Sequence, residues 1–281
     1  MFEDALLRSI KKLGGNPGRH IRLGIGDDGA LLRIPPGEDL VVSQDALVEG
    51  QDFRKSWGSP EEIGYKAAAA ALSDLAAMGA RPLGAALTLI LPPSWKAGPA
   101  LSLVRGFSAC VKKFGAALVG GDLSAGTGPL VLDAVVLGSV LKGRELRRDG
   151  ARPGDLLAVT GRLGAPKAAL EFLLENKKPP AGFRARFFRP EPRIGLAWVL
   201  SSERLLTAAM DISDGLGLDL RRFCQASGVG VELNASSLPL HPWVFHRSRS
   251  KGTPVSTLPR KLGSCAAAPR HSYTDMGASI G

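Results

Sequence analysis

The sequence predicts a two-lobed α/β (α+β) protein. Strand-like and helix-like segments alternate along it with no fixed repeat period. A polar, turn-rich run, Arg147-Arg148-Asp149-Gly150-Ala151-Arg152-Pro153-Gly154-Asp155, breaks that alternation midway. The chain has 281 residues, 44% of them hydrophobic and 22% charged, enough for two ordinary domains with real cores.

Taken in order, Asp4 to Leu13 reads as a short amphipathic helix, ended by the breakers Gly14-Gly15-Asn16-Pro17-Gly18. A glycine-rich loop, Gly24-Ile25-Gly26-Asp27-Asp28-Gly29, follows. Ala30 to Ile34 and Asp39 to Ser43 have strand composition around a Pro35-Pro36-Gly37 turn, which puts Ser43-Gln44-Asp45 at a strand end. The strongest helix signal comes next. Ser59 stands as N-cap, Pro60 at the first helical position, Glu62 as the partner of a capping box, and Gly79 near the stop. Leu83 to Leu91 reads as a strand, Ser94 to Phe114 as a helix, Ala116 to Val119 as a short strand running into Gly120-Gly121-Asp122, and Pro129 to Val140 as a strand. Beyond the turn-rich run, strands are expected at Leu156 to Thr160, Ala208 to Met210 and Val229 to Leu233. Helices are expected at Ala165 to Asn176, at Glu191 to Ser202, and after Gly215 to about Ser227. From about Trp243 the chain is rich in Ser, Arg and Pro without periodicity, and disorder is expected.

Composition excludes several classes. Glycine, at 35 residues, has no Gly-X-Y period, so collagen is out and tight turns or phosphate-hugging loops are favoured. No apolar stretch approaches the roughly 20 residues that cross a bilayer. The start, Met1-Phe2-Glu3-Asp4, carries acid where a secretion signal carries base, so a cytoplasmic location is expected. Cys110, Cys224 and Cys265 are too scattered for a local disulfide or zinc knuckle and read as core thiols. The net charge of +10 is uneven: residues 241–281 hold six basic residues and one acid, half of the excess. No basic run is interleaved with aromatics, so nucleic acid is a minor alternative confined to the tail.

The informative feature is where the aspartates fall. Asp27 and Asp28 lie in a glycine loop, Asp45 at a strand end and Asp74 in an alanine-rich helix. Asp122 follows two glycines, and Asp211 and Asp214 flank Ser213. Each alone has a plain structural role as turn former, helix cap or polar-face residue. Together they suggest convergence, and two carboxylates about 4 Å apart repel by roughly 4 kcal/mol at an effective dielectric near 20, so a cluster requires cations. Oxygen ligands without histidine or cysteine select Mg2+ or Ca2+. Mg2+ held by carboxylates among glycine loops points to a nucleotide triphosphate. Neither a Gly-x-x-x-x-Gly-Lys-Ser/Thr loop nor a dinucleotide-binding Gly-x-Gly-x-x-Gly is present. His20, His241, His246 and His271 show no metal spacing, and Lys66 stands two turns before Asp74 on one helix, as either a site residue or a solvated lysine.

Four ordered segments carry a family resemblance: Gly24-Ile25-Gly26-Asp27-Asp28, Ser73-Asp74-Leu75-Ala76-Ala77-Met78-Gly79, Val119-Gly120-Gly121-Asp122 and Met210-Asp211-Ile212-Ser213-Asp214-Gly215-Leu216. With the 148–155 run, they resemble thiamine-monophosphate kinase, of the aminoimidazole ribonucleotide synthetase and selenide water dikinase superfamily, from about Phe2 to Pro242. The resemblance implies a two-lobed α/β fold of that type and a homodimer with N-terminal strands at its interface. It also implies direct transfer of the ATP γ-phosphate to thiamine phosphate. Domains are expected at 1–147 (ATP and Mg2+ binding, dimerisation), 148–242 (a partial α/β domain) and 243–281 (an atypical basic tail).

Carried over by position, Asp28, Gln44, Asp45, Asp74, Asp122, Asp211 and Asp214 would hold several Mg2+ ions. Gly121, Asp122, Arg148 and Ser213 would contact ATP, with Asp45, Asp74 and Arg148 acting in the transfer and Asp52 near the acceptor. Three departures from the family stand out. Gln44 replaces the usual threonine, Asp52 stands where a histidine is usual after Glu49-Gly50-Gln51, and the Gly-Gly-Glu-Asp-Tyr motif beyond Ser237-Leu238-Pro239-Leu240 is missing. A truncated or frame-shifted end is therefore expected. Another acceptor within the superfamily, and a non-catalytic nucleotide-binding remnant, stay open as alternatives.

Overall fold

The computed structural model describes residues 2–13 and 20–244. They divide into two compact units, one made of Met1–Glu145 with Phe188–Arg204, the other of Leu146–Phe187 with Leu205–Gly281.

In the first unit the chain runs α1 (Phe2–Leu13), β1 (Ile21–Leu23), β2 (Leu31–Leu32), β3 (Glu38–Val48), α2 (Pro60–Ala77), β4 (Arg81–Leu91), α3 (Ala97–Lys113), β5 (Ala117–Ala125) and β6 (Val131–Leu141). The long strands form a four-stranded mixed sheet in the order β3-β6-β4-β5, with β4 and β5 parallel and the other pairs antiparallel. Two-residue alternation divides its faces. Leu47, Leu87, Leu89, Leu118, Leu132, Ala134 and Val136 point inward and pack with Ile63, Leu72, Leu75, Leu103 and Phe107 of α2 and α3 into one core. Ile21, Ala30 and Leu32 cover Ala117 and Val119 on the other face.

α2 begins as its sequence requires. Ser59 Oγ accepts from the Glu62 N–H at 3.2 Å, Glu62 Oε2 accepts from the Ser59 N–H at 2.9 Å, and Pro60 occupies the first turn. Its crossing with α3 is set by two glycines. A Cβ on Gly64 would lie 1.9 Å from the Leu103 carbonyl oxygen, and one on Gly106 would lie 1.8 Å from that of Glu61, so the helix backbones touch where a side chain cannot fit.

The strands are longer than their composition suggests, because pairing sets their ends. β3 pairs with β6 from Glu38 to Val48, which puts Asp45 inside the strand rather than at its end. β5 likewise carries Gly120, Gly121 and Asp122 within the ladder, past a bulge where Ala85 pairs with Leu118 and Ala86 with Gly120. A Cβ on Gly121, at φ 146°, would lie 2.0 Å from the Leu87 carbonyl oxygen, so strand packing alone demands glycine there. Cys110 and Cys224 are buried core thiols, and burial pushes the Cys110 thiol up to about 12; Cys265 lies outside the described residues. No described helix is long and apolar enough to cross a membrane.

The rest of the chain adds α4 (Ala165–Leu174), α5 (Ala181–Phe188), α6 (Ile194–Ser202) and α7 (Leu216–Ser227). α6 belongs to the first unit. α5 has no counterpart in the sequence reading, since its eight residues show no apolar period. In the second unit, α7 packs Leu216, Leu220 and Cys224 on Val159, Leu163, Val231 and Leu233. The three strands expected in this half do not form ladders among the described residues. Leu156 is 97% exposed, and residues 156–160 and 208–210 carry no strand assignment. Val159 and Val231 of these segments pack against α7, but a strand also needs a neighbour in register. Trp243, where disorder was expected to start, packs edge-on against Phe183 at 5.9 Å; the tail from residue 245 lies outside the described residues.

Because the α2–α3 crossing has no room for a methyl group, Gly106→Ala is expected to destabilise the chain by about 3 kcal/mol, the upper end of what overpacking costs. Denaturant unfolding of the variant beside Gly98→Ala, a site with nothing within 4 Å of the added carbon, measures it.

Candidate active site

Helix α2 brings one group of site residues against β3. Ser43 and Asp45 lie on the inner face of the strand, two residues apart, and Ser43 Oγ donates to Asp74 Oδ2 at 2.5 Å. Lys66, two turns before Asp74, is half-buried and donates to the Asp52 carbonyl oxygen at 2.9 Å. Burial lowers its ammonium to about 8, against the opposing pull of the Asp52 and Asp45 carboxylates. Asp52 Oδ2 accepts from the Val48 N–H at 2.8 Å, so this carboxylate caps the turn that follows β3. The position that departs from the family thus has a local structural task, with a cation nearby to offset its charge.

A second group lies on the outer face. Register aligns Asp122 with Thr88, Thr88 with Asp133 and Asp133 with Ala46. Gln44, one residue out of phase with Asp45, turns to this side and donates from Nε2 to Asp133 Oδ2 at 2.7 Å. Asp122 is exposed and accepts from Ser124 Oγ at 2.8 Å. Asp28 is exposed in the glycine loop, its N–H donating to Asp27 Oδ1 at 2.9 Å.

The third group belongs to the second unit. Asp211 is half-buried, accepts from Ser213 Oγ at 2.5 Å, and has the Arg148 guanidinium 3.8 Å away. Asp214 is ion-paired with Arg222, so any metal at Asp214 competes with a guanidinium. Among the described residues no three His, Cys, Asp or Glu side chains form a group that could hold a metal ion. Sequence reasoning missed Ser43, Asp133, Asp219 and Arg222. Ser43 was findable from alternation with Asp45, whereas Gln44–Asp133 depends on register, which composition does not encode.

Residues 26–140 match the family model for the AIR synthase related protein, N-terminal domain. The chain is 36% identical over 227 residues to the thiamine-monophosphate kinase of Bacillus subtilis strain 168, covering 79% of this chain and 70% of that one. It is 39% identical over 223 residues to the enzyme of the same name from Synechococcus elongatus, covering 76% and 68%. Among solved structures, the thiamine-monophosphate kinase of Stenotrophomonas maltophilia K279a superposes with a TM-score of 0.75 at 37% identity, over 85% of this chain and 76% of that one. AaThiL complexed with AMPPCP and TMP superposes at 0.72 with 29% identity, over 90% and 78%. Escherichia coli HypE, at 21% identity and a TM-score of 0.71, shares the fold. The fold and these relatives thus define a mixed α/β protein of the AIR-synthase-like class. Within that class, the chain belongs to the thiamine-monophosphate kinase family.

Lys66 has a pH signature. Its folded-state value of about 8 lies below the ordinary 10.5, so between these values the unfolded chain binds more protons than the folded one, and stability rises with pH. In metal-free buffer, wild type should therefore gain stability relative to Lys66→Met as pH rises from about 8 to 10.5, as measured by urea unfolding at several pH values.

Proposed function

We propose that the chain transfers the γ-phosphate of ATP to thiamine phosphate, giving thiamine diphosphate. The observation that carries this reading is family membership combined with the solved relative AaThiL, whose complex holds AMPPCP and TMP. The acceptor oxygen, itself the nucleophile, belongs to a phosphate that is already anionic, so the reaction needs in-line positioning and charge neutralisation rather than a covalent protein nucleophile or a general base.

The donor set suits Mg2+. Asp28, Asp45, Asp74, Asp122, Asp211 and Asp214 supply hard oxygen ligands, and Gln44 has its backbone carbonyl to offer while its side-chain amide engages Asp133. Mg2+ is commonly held by one or two carboxylates plus substrate phosphates, which fits aspartates set out singly or in pairs rather than in threes. When bound, Mg2+ screens the phosphate oxygens and their developing charge. In this proposal Asp45 and Asp74 position the transferring group, with Ser43 holding the Asp74 carboxylate. Gly121, Asp122, Arg148 and Ser213 are the proposed ATP contacts, with Arg148 as a phosphate clamp. Asp52, paired in charge with Lys66, lies toward the acceptor. In this proposal residues 1–147 serve ATP and Mg2+ binding and dimerisation, residues 148–242, of which 188–204 pack with the first unit, form a partial second domain, and the protein works in the cytoplasm.

The purified chain with Mg-ATP and thiamine phosphate should form thiamine diphosphate, and Asp74→Ala should lower the rate at least about 100-fold, as loss of a positioned charge at a phosphoryl-transfer site does. Nucleotide binding without product would favour another acceptor or a non-catalytic role.

We propose a homodimer that pairs through the apolar part of the sheet's outer face. Leu40, Val42 and Ile90 are 46%, 57% and 37% exposed there, and Asp133 Oδ1 on the same face is buried without a hydrogen-bond partner. The apolar patch of Leu40, Val42 and Ile90 suits the same patch of a second copy, leaving Gln44 and Asp122 beside it for ligand. Val42→Glu should convert the dimer to monomer in sedimentation velocity, whereas an unchanged sedimentation coefficient would remove this surface as the interface.

A further inference from the structure

Asp219, in the first turn of α7, is 2% exposed and is the most deeply buried acid among the described residues of the second unit. Its Oδ2 accepts three consecutive backbone N–H groups, from Ser213 at 2.9 Å, Asp214 at 2.9 Å and Gly215 at 3.0 Å. Its Oδ1 faces the Arg222 guanidinium at 3.1 Å, and the same guanidinium pairs with Asp214. Three adjacent N–H groups at a helix N-terminus ordinarily form an anion site. Here an internal carboxylate fills it. The backbone of this loop is therefore not free to cradle a phosphate, and only its side chains, Asp211, Ser213 and Asp214, remain to meet a ligand. All three are acceptors or hydroxyls suited to a cation or to a cation–phosphate complex.

We propose that Asp219 is a positioning residue for nucleotide: by binding the Ser213, Asp214 and Gly215 amides it fixes the Asp211–Gly215 loop so that Asp211 and Ser213 are presented to Mg-ATP. The proposal rests on the reading of Ser213 and Arg148 as ATP contacts. The carboxylate acts through the loop and touches no ligand itself. Charge-assisted hydrogen bonds from a buried carboxylate are the strong kind, and without them the loop loses its single conformation. The cost then appears in the affinity of the ligand that needs that conformation.

The test is calorimetric binding of Mg-AMPPCP and, separately, of thiamine phosphate to the full chain. Asp219→Asn keeps the shape and one acceptor oxygen but removes the charge. It should raise the Kd for Mg-AMPPCP by roughly 10-fold, in line with the loss of one charge-assisted interaction, while the Kd for thiamine phosphate stays within about 2-fold. Asp219→Ala should weaken nucleotide binding further, and formate, a carboxylate small enough for the vacated space, should restore it without affecting wild type. Nucleotide affinity unchanged in Asp219→Asn, while Ser213→Ala and Arg148→Ala lose it, overturns the positioning role alone. Equal losses for both ligands with no response to formate also overturn it, since that is the pattern of a general structural defect. If Ser213→Ala and Arg148→Ala bind nucleotide like wild type, the underlying reading of the loop fails and the inference falls with it. Should Asp219→Ala not fold, the Asp219→Asn comparison decides the question.

Discussion

The seating of α2 on the inner face of the β3-β6-β4-β5 sheet is the contact on which the first unit's chemistry depends. One helix carries both Lys66 and Asp74, and the strand beneath it carries both Ser43 and Asp45. Their distances are set by the depth at which α2 lies, which in turn is set by the small, buried alanines at 67, 68, 69 and 71 and by Gly64 meeting α3. The alanine-rich composition is thus more than high helix propensity. Small side chains let a polar end approach a strand closely enough for the Ser43–Asp74 hydrogen bond.

The two units handle carboxylate repulsion by different means. In the first, the Lys66 ammonium near Asp45 and Asp52 supplies positive charge before any divalent cation arrives, at the expense of its own hydration. In the second, guanidinium groups do so, Arg148 near Asp211 and Arg222 between Asp214 and Asp219. Each fixed cation leaves the remaining compensation to a mobile one. That division explains why aspartates that look excessive for any single metal can be held without mutual disruption.

Much of this was legible in the sequence, and the reasons are local. The capping box of α2 is encoded by Ser59, Pro60 and Glu62 within four residues, and glycine loops flanking aspartates mark the site motifs without reference to distant chain. What was not legible depends on partners far away in sequence. β3 extends to Val48 because β6 pairs with it, the Gly120–Asp122 stretch is strand because β4 holds it across a bulge, and residues 156–160 are not strand because composition supplies no neighbour. Asp219 was not singled out from the sequence. Its signal was an acid in the first turn of a helix that follows a Ser-Asp-Gly loop, where the N–H groups of that loop have nowhere else to go.

The central claim is that these aspartates bind a divalent cation together with the nucleotide and not before it. Electron paramagnetic resonance of Mn2+ in place of Mg2+, titrated into the chain with and without AMPPCP, measures it directly. The account predicts weak binding of the ion alone, tight binding once the nucleotide is present, and loss of the tight component in Asp74→Asn. Equally tight Mn2+ binding in the absence of nucleotide, or a tight component that survives Asp74→Asn, would contradict it.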